Sequence, residues 1–306
     1  LTLGGYAAGT NAIWQLRGQL SGLIDSYSSF HDNSQYIERV KEFINYEPRI
    51  VSLGSETLTS DFSRDIIFKN LCFSYKSENM VLKDITLKIK AGEKIAIVGL
   101  NGAGKTTLIK LLLRLYDPIS GNIEINNIDI KNYELESYRK GFGVVLQDYN
   151  LYAATLSENV LMDDIADKTA VDYSLLKSGL SKKNVDINSI ITREFDDNGV
   201  IFSGGESQKV AIARVFAHPF HTLILDEPSS ALDPIAEYNF NKILVEASEG
   251  KTVIFISHRL STTKIADRIF MIENGEVIES GTHQELMNKN GKYSVMFNMQ
   301  AEKYRV

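Results

Sequence analysis

Across 306 residues the chain is 43% hydrophobic and 24% charged, an ordinary globular balance with room for one large domain and something smaller. A formal charge of -6 with no basic block argues against a protein whose main work is holding nucleic acid, because the phosphate backbone is gripped by clustered Lys and Arg. The single cysteine, Cys72, leaves no intrachain disulfide and no cysteine metal cluster, which suits a reducing compartment; the side chain is expected to be a small buried hydrophobe.

The chain opens at Leu1 without a signal-type pattern and is expected to be a piece of a longer polypeptide. No window holds the run of about eighteen apolar residues that crosses a bilayer. From residue 1 to about 46, apolar residues at Ile13, Leu16, Leu20, Leu23, Tyr27 and Phe30, resuming at Ile37 and Ile44, predict one long helix with a packing stripe. Its first half is rich in Gly and small polar residues, with a weak GxxxG spacing at Gly18 and Gly22. Two readings stand here: a soluble bundle helix, or the inner end of a membrane helix that lines a pathway. Glu47-Pro48 ends the helix, and the polar stretch 51–64 reads as a linker.

A new regime begins at Asp65, with strand-like runs at 66–75 and 81–89, then a short apolar run at 95–98. That run leads into Val98-Gly-Leu-Asn-Gly-Ala-Gly-Lys-Thr-Thr107, which satisfies the spacing GxxxxGK[ST] of a phosphate-binding loop. Glycines let backbone N–H groups wrap a phosphate chain, and the partial positive charge of a following helix, expected at 108–115, favours the same anion. Gly99, Asn101, Gly102, Ala103, Gly104, Lys105, Thr106 and Thr107 are candidate nucleotide contacts. Lys105 is suited to the β- and γ-phosphates and Thr106 to Mg²⁺.

Three further apolar runs end in chemistry: 143–146 at Gln147, 223–225 at Asp226-Glu227, and 253–256 at Ser257-His258. In doubly wound α/β folds ligands sit at the carboxyl ends of parallel strands, so these ends are expected to meet the loop. Phosphoryl transfer to water then assigns roles. Asp226 holds the metal with Thr106, Glu227 is the base for the attacking water, Gln147 bonds metal and water, and His258 donates to the γ-phosphate. Between Gln147 and Gly199 the pattern turns helical, at 155–162, 169–178 and 181–190.

Residues 202–214 read FSGGESQKVAIAR, which resembles the signature motif of ABC ATPases. Tyr75 then resembles the aromatic residue that stacks adenine, Gln147 the Q-loop, Ser230-Ala-Leu-Asp233 the D-loop and His258 the H-loop, in family order from about 65 to 300. Phe202 and Glu206 depart from the commonest motif, which has Leu and Gln there. Ser203 with Glu206 also has capping-box spacing. The stretch 194–199 departs further from the exporter pattern TxVGExG, with Asp197 nearest its Glu.

The resemblance implies an α/β fold, a P-loop NTPase core with a mixed sheet, an antiparallel β subdomain and a helical subdomain at about 148–217, within a domain at 65–303. It also implies ATP and Mg²⁺ as cofactors and a head-to-tail dimer in which Ser203, Gly204, Gly205 and Glu206 of one copy close on the nucleotide of the other. The long helix followed by a linker, the exporter-like stretches 151–160 and 281–286, and the order of parts resemble ABC exporters. By that resemblance residues 1–50 are the end of a membrane-domain helix, and the partners are a second nucleotide-binding domain, the membrane domain and an exported substrate, with no nucleic acid. The full protein is then expected in the cell membrane with this part in the cytoplasm. Against it stand a soluble ABC ATPase, which predicts a basic surface or tandem cassettes, a non-hydrolysing module, which predicts loss of Glu227 or His258, and a small-molecule phosphotransferase.

Overall fold

The computed structural model describes residues 3–52, 54–58, 65–76, 79–146, 149–163, 167–180, 185–226, 248, 250–256 and 263–302. They form two compact units, Leu1–Arg49 and Ile50–Val306.

The first unit is a single helix, α1 (Leu3–Ile44), 42 residues long and so about 63 Å at the usual rise. Its stripe is present but bare: Ile13, Leu16, Leu23, Tyr27 and Phe30 are all exposed, and a Cβ on Gly18 or Gly22 would meet nothing within 4 Å. Among the described residues no helix is long and apolar enough to cross a membrane.

The second unit is built on two sheets. The smaller is antiparallel, in the order β2-β1-β4-β5, from β1 (Ile66–Phe73), β2 (Leu82–Ile89), β4 (Ser120–Ile125) and β5 (Ile128–Asp129). In β2 the buried residues Leu82, Ile85, Leu87 and Ile89 alternate with exposed ones after an early irregularity, as a sheet with one wet face requires.

The larger sheet runs β10-β9-β3-β8-β7-β6. Its strands are β3 (Lys94–Val98), β6 (Phe142–Val145), β7 (Thr222–Asp226), β8 (Thr252–Ile256), β9 (Arg268–Glu273) and β10 (Glu276–Gly281). All pairings are parallel except β9 with β10, so the sheet is mixed. β7 and β8 are buried along their whole length because both faces are covered. Ile224, Ile254 and Ile256 face one apolar layer with α2 (Lys105–Leu112) and the antiparallel sheet. Leu223, Leu225, Val253 and Phe255 face the other, with α6 (Gly204–Ala217), α7 (His283–Asn288) and α8 (Lys292–Glu302). Each such side chain contributes roughly 1.5–3 kcal/mol by leaving water. A third apolar cluster joins α4 (Leu156–Leu161), α5 (Lys168–Lys177) and α6 into the helical part.

Four expectations are corrected. The helix expected at 181–190 is not formed over its described part, 185–190. Asp186 Oδ1 accepts from Asn188 N in a side-chain turn, and the carbonyls of Ile187 and Ser189 take the first N–H groups of α4 at 2.8 and 3.0 Å. The helix expected at 108–115 starts earlier, at Lys105, and stops at Leu112. Arg114 then turns to φ 52°, and Tyr138 Oη and Arg139 of α3 (Leu135–Lys140) satisfy the carbonyls of Leu112, Leu113 and Arg114. β1 ends at Phe73, so Tyr75 lies in the bend beyond it. Cys72 is half-buried rather than buried, and its Sγ accepts from Asp84 N at 3.3 Å.

Within 51–64 the described residues are part of the second unit and pack on the rest of it. Glu56 N donates to Asn132 O and Glu56 O accepts from Glu134 N, Ser52 Oγ accepts from Leu135 N, and Leu58 is buried. Val51 O accepts from the buried Arg114 guanidinium at 2.9 Å. Gly54 passes so close to Asn132 O that a Cβ would stand 1.9 Å from it.

Candidate active site

The loop between β3 and α2 is shaped by three glycines for three reasons. Gly99 (φ 152°) runs against β9, where a Cβ would meet Ile272 O at 2.1 Å. Gly104 (φ 105°), the N-cap of α2, packs on β2, where a Cβ would meet Leu82 Cδ2 at 2.6 Å. At Gly102 (φ 79°) there is open space, so only the backbone angle demands glycine.

With α2 beginning at Lys105, the N–H groups of its first turn have no partner within the helix, and its dipole is positive at this end. Lys105 is buried, and its Nζ donates to Gly99 O at 2.9 Å and Leu100 O at 3.1 Å, laying the cation across the loop. Thr106 is exposed and Thr107 buried.

Tyr75 reaches this loop from thirty-odd residues upstream. Its hydroxyl lies 3.2 Å from Thr107 Oγ1, and its ring meets Phe73 and Tyr116 edge-on at 4.9 and 5.2 Å. A cavity of about 430 Å³ opens here, lined by Tyr75, Val81, Asn101 and Gly102, and by Gly104 and the first three residues of α2. Gly99 and Ala103 shape the loop without lining the cavity. Val81 and Tyr116 carried no sequence signal, because both arrive through tertiary packing.

Asp226 ends β7 and is buried. Ile97 of β3 pairs with Ile256 of β8, and Ile256 with Asp226. The carboxylate thus belongs to a residue in the row where the phosphate loop begins, two strands and about 10 Å across. Gln147, Glu227, His258 and Ser230-Ala-Leu-Asp233 lie outside the described residues.

The second candidate anion end is the start of α6. Ser203 is its N-cap, and Glu206 completes a capping box. The carboxylate accepts from Ser203 N at 2.9 Å and from Ser203 Oγ at 2.7 Å, while Glu206 N donates back to that Oγ. The backbone bond from Ser203, then its hydroxyl, holds the Glu206 carboxyl below its usual range. Residues 203–206 are exposed, and a Cβ on Gly204 or Gly205 would meet nothing within 4 Å. None of these four residues lines the cavity at the phosphate loop.

Residues 82–230 match the model of the ABC transporter domain. The chain belongs to the ABC transporter family. It is a nucleotide-binding ATPase domain with an additional long helix. Over 303 residues it is 31% identical to the ATP-dependent lipid A-core flippase of Alcanivorax borkumensis (strain ATCC 700651 / DSM 11573 / NCIMB 13689 / SK2), covering 98% of this chain and 52% of that protein. The ABC transporter ATP-binding protein YwjA of Bacillus subtilis (strain 168), described as uncharacterized, is 35% identical over 95% of this chain and 50% of its own length. Among solved structures, a bacterial Atm1-family ABC exporter with ATP bound superposes with a TM-score of 0.79 at 29% identity, over 90% of this chain and 48% of that one. The chain thus spans about half the length of these relatives, and the similarity takes in α1 as well as the ATPase domain.

Proposed function

We propose that this chain is the ATP-hydrolysing part of an exporter that moves a substrate across the cell membrane, with α1 as the inner end of a membrane-domain helix and the ATPase domain on the cytoplasmic side. The observation that carries the reading is the extent of the similarity. A match confined to the ATPase would stop near residue 65, whereas the flippase match runs over 98% of the chain and so includes α1. The open apolar stripe of α1 fits a helix made to be covered by other helices.

In this reading Tyr75 stacks on adenine, the loop amides and Lys105 hold the β- and γ-phosphates, and Thr106 and Asp226 hold the cation. Among the described residues no three His, Cys, Asp or Glu side chains converge. One hydroxyl, one carboxylate and the phosphates make an oxygen donor set, which suits Mg²⁺. Bound there, Mg²⁺ neutralises charge on the β- and γ-oxygens. Glu227 takes the proton of the attacking water, Gln147 orients that water, and His258 donates to the γ-phosphate as charge builds. Residues 203–206 close on the nucleotide of a second copy, which agrees with their exposure and their absence from this chain's own cavity. ATP then favours the closed pair and hydrolysis releases it.

The test of the chemistry is Glu227→Gln. This variant is expected to bind ATP, to turn over at least about 100-fold more slowly, and to accumulate as an ATP-dependent dimer on size-exclusion chromatography with light scattering. Turnover near the parent rate refutes Glu227 as base. For the exporter reading, an antibody raised to the chain should detect in native carbonate-washed membranes a polypeptide of about twice its 34.3 kDa, given that the chain spans about half of its relatives. A soluble band near the chain's own mass refutes it.

A further inference from the structure

Tyr75 stands where no strand holds it. The pairings of β1 with its two neighbours reach no further than Phe73, and Tyr75 lies in the bend beyond, 45% exposed. A tyrosine so placed turns about its side-chain bonds unless other side chains stop it, and immobilising such a side chain on binding weakens affinity by about three- to tenfold.

Side chains from three segments stop it. From α2, Thr107 Oγ1 lies 3.2 Å from the Tyr75 hydroxyl, and Lys110 Nζ stands over the ring at 5.8 Å from its centre. Phe73 of β1 and Tyr116, which follows α2, meet the ring at interplanar angles of 85° and 90°, the arrangement that sets the positive rim of one ring against the negative face of the other.

Among these Tyr116 has no other evident task. Phe73 is a buried core residue, and Thr107 and Lys110 belong to the helix that follows the phosphate loop. Tyr116 is 40% exposed and does not line the cavity at that loop. Its place follows from the path of the chain. Arg114 turns the backbone out of α2, and Ile119 N then donates to Cys72 O at 2.9 Å, just before Ser120 of β4 pairs with Cys72. Tyr116, between those two points, is laid against Phe73 at 5.6 Å and Tyr75 at 5.2 Å.

We propose that Tyr116 is a positioning residue for the nucleobase: it holds the Tyr75 ring in place at the cavity, so that the base meets a surface already ordered. This rests on the reading of Tyr75 as the residue that stacks adenine. Because Tyr116 touches Tyr75 and not the cavity, it acts through Tyr75 alone and leaves the phosphate contacts as they are.

The experiment measures, in the whole 306-residue chain, the affinity for the β,γ-imido analogue of ATP and for inorganic tripolyphosphate, which offers a phosphate chain without a base. Tyr116→Leu should weaken the ATP analogue about three- to tenfold and leave tripolyphosphate within about twofold, while Tyr116→Phe, which keeps the ring, should stay within about twofold for both. Added to Tyr75→Ala, Tyr116→Leu should cause no further loss, since the two act as one unit. An analogue affinity unmoved by Tyr116→Leu, where Tyr75→Ala does weaken it, overturns the positioning role. So does a parallel loss of tripolyphosphate, which marks a merely structural residue, and so does a further loss on top of Tyr75→Ala. If Tyr75→Ala itself leaves the analogue affinity unchanged, the stacking reading fails and the inference falls with it.

Discussion

Acid should weaken this fold through one histidine that has no part in the proposed chemistry. His221 precedes β7 and is 7% exposed, with its ring 5.5 Å from Phe142 and its Nδ1 3.1 Å from Thr222 Oγ1. It lies so close to Gly141 that a Cβ there would stand 2.0 Å from Nε2. Burial first, and then the charge of Lys251, hold the imidazole down at about 4 from its ordinary 6.5. The folded protein therefore keeps this ring neutral in a range where the unfolded chain protonates it. Stability is complete above about pH 6.5, declines as pH falls, and levels off for this group near pH 4. At about 1.4 kcal/mol per pH unit the full loss is roughly 3 kcal/mol, with about 2 kcal/mol gone by pH 5. Urea unfolding at pH 7.5, 6 and 5 should show the midpoint falling by roughly 1 M over that range. In His221→Gln the fall should be much smaller, whereas carboxylates such as Asp65 and Glu124, held low by Lys88 and Lys69, contribute equally to both proteins. Parallel midpoint curves for parent and variant would refute this account.

Gly99→Ala forces a methyl onto Ile272 O and a strained backbone angle, so it should cost about 2–4 kcal/mol in urea unfolding and remove ATP binding; a stable, ATP-binding variant contradicts the geometry of the loop. Tyr75→Ala should weaken ATP binding by about 1–3 kcal/mol through lost stacking, measured by equilibrium titration, and an unchanged affinity rejects the adenine role. Ser203→Ala removes the N-cap of α6 and should lower stability by about 1 kcal/mol in the isolated chain; a midpoint equal to the parent's would show that the box adds nothing.

Much of the parallel sheet could be read directly, because β3, β7 and β8 are short apolar runs that end in polar chemistry. Strand β10 has no such run: its residues alternate between exposed and half-buried, as befits an edge. The false helix at 185–190 shows a local side-chain turn prevailing over apolar spacing, with Asp186 and Asn188 diverting the chain to cap α4. At the site, the glycines and Lys105 were legible because backbone geometry there depends on residue type. The family resemblance pointed Tyr75 at adenine, whereas its touch on Thr107 was not expected, since no spacing within a segment encodes it. A bond from the Tyr149 hydroxyl to Gly204 O had no precursor in the sequence at all. It joins two stretches 55 residues apart through a ring whose hydroxyl happens to reach one carbonyl.

The stretch after α1 has a practical bearing on where this polypeptide can be shortened. Composition alone suggests starting the ATPase at Asp65, and such a chain would lose Leu58 from the core and Val51 O from the Arg114 guanidinium. Arg114 is 2% exposed, and among the described residues its ion-pair partner is Asp117 at 3.5 Å. A buried cation stripped of a hydrogen bond is costly, and it sits directly after the helix that opens with Lys105. Fragments for biophysical work therefore belong at Ile50, where the compact unit begins, with the stretch 51–64 left on.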